Sequence, residues 1–192
     1  MEVSAEPDWE ARYTGRDPRE AVASQVLRDH MHLLPKRGCA LDLACGLGAN
    51  ALLLARNGLE TVAWDRASTP IAALRRVAIA EGLRLVAEVR DVVAQPPIPA
   101  GFDVIVVSRF LDRGLAPALI VALRPGGLLF YQTFGPALVD PTRGPRHRDF
   151  RLAEGELLRL FASLRLRVYR EEGGAGDTRD GLRDEVYGIF QR

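Results

Sequence analysis

Ala40 to Asn50, ALDLACGLGAN, constrains this chain more than any other stretch. A short apolar run (Ala40, Leu41, Leu43) carrying Asp42 gives way to Cys45-Gly46-Leu47-Gly48 and then to an apolar-rich segment, Ala51 to Arg56. This pattern reads as a strand, a glycine turn and a helix start. Glycine has no Cβ and tolerates positive φ, so backbone can approach a ligand closely there, and the following helix presents unpaired N–H groups. Asp42 is out of place in an apolar strand. A carboxylate there is costly unless it is paired or aimed at a ligand, so its position predicts a polar or cationic partner.

The rest of the chain repeats the unit. Pro18 to Leu34 places Ala21, Val22, Val26, Leu27, Met31 and Leu34 at helical spacing, with Pro35 as a stop; His30 and His32 at its end suit solvent or the helix dipole. Thr61 to Trp64 forms a second strand ending in Asp65, and Ser68 to Gly82 a second long helix. Leu83, Leu85, Ala87 and Val89 alternate against charged residues as a third strand ending in Asp91, followed by a proline-rich linker from Gln95 to Ala100. Phe102 to Val107, FDVIVV, suits a strand buried on both faces, and it ends at Ser108. After helical spacing over Leu115 to Leu123, Arg124-Pro125-Gly126-Gly127 is expected to turn sharply into a fifth strand, Leu128 to Phe134. Gly135 to Asp149 is a long Pro/Gly/Arg-rich loop of the kind that carries binding functions. A last helix around Leu157 to Phe161 and two strands, Leu164 to Tyr169 and Glu185 to Phe190, close the chain.

Alternating strands and helices predict an α/β three-layer sandwich, a mostly parallel sheet with helices on both faces, whose ligands bind beyond the carboxyl ends of the strands. Asp42 with the glycines, Asp65, Asp91 and Ser108 then share one rim. A single aspartate at a strand end is commonly a cap or turn former. Three on consecutive strands, all on one rim, call for a ligand.

With 192 residues the chain is expected to form one domain: an N-terminal arm and helix (1–35), a core (36–134), and a loop with the closing strands (135–192). A net charge of +1 offers no electrostatic case for nucleic acid or an acidic membrane. The two cysteines, Cys39 and Cys45, have nothing beside them to complete a metal site of familiar spacing, and read as reduced. No apolar stretch reaches the ~20 residues of a membrane span, and the acidic start (Glu2, Glu6, Asp8) lacks the features of an export leader, so a cytoplasmic location is expected. In the arm, Trp9 and Tyr13 either fold over a cleft or plug the outside of the core.

The four rim positions together with LDLACGLG and LRPGGLLFYQTF resemble the class I S-adenosylmethionine-dependent methyltransferases. The likeness runs over Lys36 to Phe134 and extends to the closing helix-strand-strand segment. It implies that family's seven-stranded Rossmann-like sheet with an antiparallel last strand. WEARY at Trp9 to Tyr13 and YQTF at Tyr131 to Phe134 are similar to small-molecule enzymes of the tellurite-resistance type. By that resemblance Asp42, Ala44, Cys45, Gly46 and Gly48 hold the methionine end of S-adenosylmethionine, with Ala44 standing where the commoner pattern has glycine. Asp65 accepts both ribose hydroxyls, Asp91 accepts from the adenine amine between Val92 and Arg66, and Ser108 and Arg109 lie beside the methyl group. The implied reaction is methyl transfer to a small-molecule acceptor, leaving S-adenosylhomocysteine, by a monomer or homodimer.

On the acceptor side Tyr13, Arg16, Arg146, His147 and Arg148 are candidates, with His147, Tyr131 and Arg109 as candidate catalytic groups; equally, Arg143 to Arg148 fits a solvated loop. Two alternatives stand beside methyl transfer. Gly46-x-Gly48-x-x-Ala51 with Asp65 nineteen residues on also satisfies the dinucleotide fingerprint of an NAD(P)-binding protein. A binding module without turnover is the other.

Overall fold

A computed structural model describes residues 9–192. The expectations resting on Glu2, Glu6 and Asp8 lie outside the described residues. The strands are β1 (Cys39–Leu43), β2 (Glu60–Asp65), β3 (Leu85–Val89), β4 (Phe102–Ser108), β5 (Leu123–Phe134), β6 (Arg165–Arg170) and β7 (Glu185–Gln191). The helices are α1 (Trp9–Tyr13), α2 (Gln25–Asp29), α3 (Ala49–Arg56), α4 (Ser68–Ala80), α5 (Ala116–Ala122) and α6 (Glu156–Leu160). All seven strands join one sheet in the order β3-β2-β1-β4-β5-β7-β6. β1 to β5 pair in parallel, and β7 runs antiparallel between β5 and β6.

The apolar run of β4 explains why the sheet has helices on both sides. Ile105 and Val107 pack with Leu41, Leu43, Leu129 and Tyr131 into a core that includes Leu119 of α5 and Leu157 of α6. Val104 and Val106 face the other way, joining Ala40, Phe130, Leu54 of α3 and Val26 and Leu27 of α2. A third cluster, with Ala63, Ile71, Leu74 and Ala87, seats α4 over β2 and β3. The strand order reverses between β1 and β4: the chain leaves β1 toward β2 on one side and returns to β4 on the other, which opens a crevice at their carboxyl ends.

Three local expectations are corrected. Pro18 to Leu34 is not one helix but a 3₁₀ turn (Pro18–Glu20), α2 and a second 3₁₀ turn (Met31–Leu33). The Ser24 backbone N–H donates to Asn50 Oδ1 (2.8 Å) and that of Val26 to Gln132 Oε1 (2.8 Å), so core side chains take backbone donors at the start of α2 and anchor it there. Arg124 to Gly127 does not turn into a separate strand. It is an irregular stretch within β5, since Phe102 pairs with Leu123 and Val104 with Leu128, and the Gly126 N–H is taken by the Arg192 carbonyl (2.8 Å). Val89 is exposed at the end of the edge strand β3 rather than turned inward.

Candidate functional site

At the carboxyl rim the β1–α3 turn is built from strained backbone and tertiary hydrogen bonds. Ala44 (φ +55°), Gly46 (+52°) and Gly48 (+76°) all take left-handed conformations, a cost glycine avoids and alanine does not. Cys45 N–H donates to the Trp64 carbonyl (2.9 Å) and Gly48 N–H to the Cys45 carbonyl (2.8 Å), fixing the turn against the end of β2.

Asp42 lies beneath this turn with no exposed surface. Its partner is the helix start: Ala51 N–H donates to Oδ2 (2.9 Å) and the Asn50 amide to Oδ1 (3.4 Å). Asn50 is itself oriented by the Ser24 N–H and hydroxyl (2.8 and 3.0 Å). Burial pushes the Asp42 carboxyl up to about 8, against the opposing pull of these two hydrogen bonds. The carboxyl group thus meets its need for polar partners from the first turn of α3.

Asp65 ends β2 directly beside the turn. Its oxygens accept from Gly46 N–H (2.7 Å) and Ala67 N–H (2.9 Å), and burial raises its pKa. Asp91 stands further along the rim, exposed. Oδ1 accepts from the backbone N–H groups of Val93 and Ala94 (3.0 and 3.2 Å), which lower its pKa, with the Arg66 charge acting in the same direction. Val92 is buried, in the same apolar cluster as Trp64 and Phe102. Ser108 is half-buried at the end of β4, and Arg109 follows it with φ +54°, its N–H held by the Gln132 carbonyl (2.8 Å).

The arm closes over this turn. A Cβ added at Gly46 would lie 2.7 Å from the Tyr13 hydroxyl, which measures how closely Tyr13 covers the glycine. Burial and the Asp65 charge raise the Tyr13 pKa. Glu10 anchors α1: its carboxylate accepts from Ser68 N–H (2.5 Å) and Thr69 N–H (2.9 Å) at the start of α4. Of the two readings of the arm, the structure thus has Tyr13 against the cleft. Arg16 lines, together with Tyr13, a groove between the arm and α4 that Arg19 and Arg76 also border.

Other candidates separate. Tyr131 is 2% exposed, its hydroxyl donates to the Phe110 carbonyl (2.9 Å), and burial raises its pKa. Its ring lies in the core beside Phe161. His147 is exposed, 3.5 Å from Asp149, on the 135–150 loop with Arg146 and Arg148. That loop is tied down by residues the sequence did not single out. Buried Arg151 donates to the carbonyls of Gly135 (2.8 Å), Ala137 (2.5 Å) and Pro145 (3.2 Å), and the Asp184 carboxylate accepts from Val139 and Asp140 N–H (2.8 and 3.1 Å). Glu185, also unforeseen, accepts from Arg109 Nε (2.9 Å) and Gln132 Nε2 (2.5 Å).

A family model described as "Tellurite resistance protein TehB" matches residues 12–180. The chain belongs to the TehB family. TehB from Haemophilus influenzae has the same fold: TM-score 0.73 at 21% identity, covering 96% of this chain and 67% of that one. A SAM-dependent methyltransferase from Methanosarcina mazei superposes with TM-score 0.68 at 19% identity, over 90% of this chain and 99% of its own. Among sequence relatives, Hemagglutinin 1 of Eikenella corrodens is 34% identical over 70% of this chain and 46% of its own length. A ubiquinone biosynthesis O-methyltransferase of Nitrosococcus oceani is 33% identical over 57% of this chain and 48% of its own. This chain spans about half the length of those two relatives. Among the described residues of this TehB-family chain, no helix is long and apolar enough to cross a membrane.

Proposed function

We propose that this chain binds S-adenosylmethionine at the β1–α3 turn and catalyses methyl transfer to a small-molecule acceptor. One observation carries the reading: Asp65 is joined to the glycine turn through Gly46 N–H (2.7 Å) while sharing the rim with Asp91. Each Asp65 oxygen accepts one backbone N–H, and a carboxylate oxygen has two lone-pair sites, so the group retains capacity for two further hydroxyl donors. Gly46, at φ +52°, leaves the space over the turn to the Tyr13 hydroxyl, and two acidic groups on the rim suit a ligand that carries an ammonium and a sulfonium.

The cofactor supplies an electrophilic methyl group whose leaving group is a neutral thioether, open to in-line displacement by a nucleophile. The chain's own task is then to orient and to exclude water, which is where proximity contributes most. Asp42 holds α3 in register beneath the turn; Asp65 and Asp91 receive the nucleoside; Tyr13, anchored through Glu10, covers the turn. Ser108 and Arg109 border the acceptor side. An acceptor that is itself a thiolate or an oxyanion needs no base and suits the arginines at 109 and 143 to 148. An amine or hydroxyl acceptor would draw on His147.

Asp65→Ala tests the assignment. S-adenosylhomocysteine affinity, measured by calorimetry, should weaken at least tenfold while circular dichroism retains the folded signal. Unchanged affinity would remove Asp65 from the site.

A further inference from the structure

Glu185 is a buried acid that the cofactor reading leaves without a task. It is 2% exposed at the start of β7, opposite Phe134 of β5, on the same rim as Ser108. Its Oε1 accepts from Arg109 Nε at 2.9 Å and lies 3.6 Å from an Arg143 guanidinium nitrogen; its Oε2 accepts from Gln132 Nε2 at 2.5 Å. Gln132 is locked in turn, since its Oε1 takes the Val26 N–H. One rigidly held carboxylate therefore gathers two arginines from separate elements. Arg109 follows β4 in a strained left-handed conformation, and Arg143 comes from the 135–150 loop. Both arginine side chains remain about half open to solvent, at 58% and 52% exposed. Arg143 also lies within electrostatic reach of the Asp140 carboxylate, so the charges nearly balance, and what the pair presents beside the end of β4 is a doubly directed set of half-exposed donors.

We infer that Glu185 is a positioning residue of the acceptor side, holding Arg109 and Arg143 together as a seat for an anionic group on the methyl acceptor. The inference rests on the methyl-transfer reading for the meaning of the site, and on the Glu185 geometry for the seat itself. A surface arginine pair without such an anchor would spread its long side chains over many rotamers and lose that freedom on binding. Here the freedom is already restricted by a buried partner that is fixed by a second buried side chain.

The test uses the full chain saturated with S-adenosylhomocysteine and labelled with ¹⁵N-arginine. The Nε–H resonances of Arg109 and Arg143 are assigned with Arg109→Lys and Arg143→Lys, and mercaptoacetate is titrated as the probe, with 2-mercaptoethanol as its neutral counterpart. Both resonances are expected to move together with one dissociation constant for mercaptoacetate and to stay still for 2-mercaptoethanol. In Glu185→Gln, which keeps an acceptor for Gln132, the affinity should fall at least tenfold and the two resonances should cease to respond together. Glu185→Asp should recover part of the response. S-adenosylhomocysteine affinity should stay within threefold of the parent in both variants, which a general loss of structure would not allow. Charge alone predicts the opposite sign, because removing a negative group beside two arginines should tighten anion binding. Equal or tighter binding in Glu185→Gln, or no response at these two arginines in the parent, overturns the inference. Failure of the parent to bind S-adenosylhomocysteine would instead overturn the methyl-transfer reading.

Discussion

Gly48→Ala is the substitution whose effect can be worked most directly from the turn's geometry. Gly48 sits at φ +76°, and an added Cβ would overlap the Leu74 side chain, standing 2.8 Å from Cδ1 and 3.0 Å from Cγ. Leu74 is fully buried in the cluster that seats α4, so it has little room to yield. Two costs add: left-handed backbone, roughly 1–2 kcal/mol for a residue with a Cβ, and overpacking, roughly 1–3 kcal/mol. The lower entropy of an unfolded chain with alanine offsets about 0.4–1 kcal/mol. The net loss is about 3 kcal/mol, or about 10 °C in Tm for a chain of this length. Gly126→Ala separates the two costs, since Gly126 has φ +82° but nothing within 4 Å of its Cβ position; it should lose only about 1 kcal/mol. Urea denaturation of both variants, and of Gly48→Ala combined with Leu74→Ala, is the assay. The double variant should show a coupling of at least about 1 kcal/mol, because the truncated side chain makes room for the new methyl. Equal losses at Gly48 and Gly126, with no coupling to Leu74, would refute the packing argument.

Tyr131→Phe should leave methyl transfer and its pH profile unchanged while lowering stability by about 1 kcal/mol, the net value of a hydrogen bond such as the one to Phe110; a lost or pH-shifted activity at intact fold would return Tyr131 to the chemistry. Asp42 carries a pH signature. Its folded pKa is raised by burial from 3.8 to about 8, so the folded state keeps a proton that the unfolded state releases. Its contribution to stability is complete below about pH 4, falls by up to about 1.4 kcal/mol per pH unit as pH rises toward 8, and levels off above that. Urea midpoints between pH 4.5 and 8.5 should decline more steeply in the parent than in Asp42→Asn, and identical slopes would contradict the raised pKa.

What could be read from the sequence was local. The β1 turn is encoded within eleven residues, and the apolar run of β4 announces burial on both faces without reference to any distant partner. Asp42 was legible as needing a polar partner, and that partner, Ala51 N–H, lies nine residues further along the same stretch. The misread 18–34 segment shows the limit. Its helical spacing is real, but the backbone donors of Ser24 and Val26 go to Asn50 and Gln132, the latter 106 residues away. Glu185 was invisible for the same reason: its partners Arg109 and Gln132 are 76 and 53 residues distant, and only the insertion of β7 beside β5 brings them together. The position of Tyr131 in YQTF does not reveal which sheet face it occupies. It falls on the face covered by α5 and α6, against Phe161.

The turn from Ala44 to Gly48, with Asp65 and Asp91, is the proposed site for S-adenosylmethionine. Isothermal titration of the purified chain with S-adenosylhomocysteine, beside an identical titration with NAD, tests it most directly. Micromolar binding of S-adenosylhomocysteine, about −8 kcal/mol, with none of NAD, is the predicted result. Binding of NAD in its place would contradict the account and restore the dinucleotide reading of the same glycines.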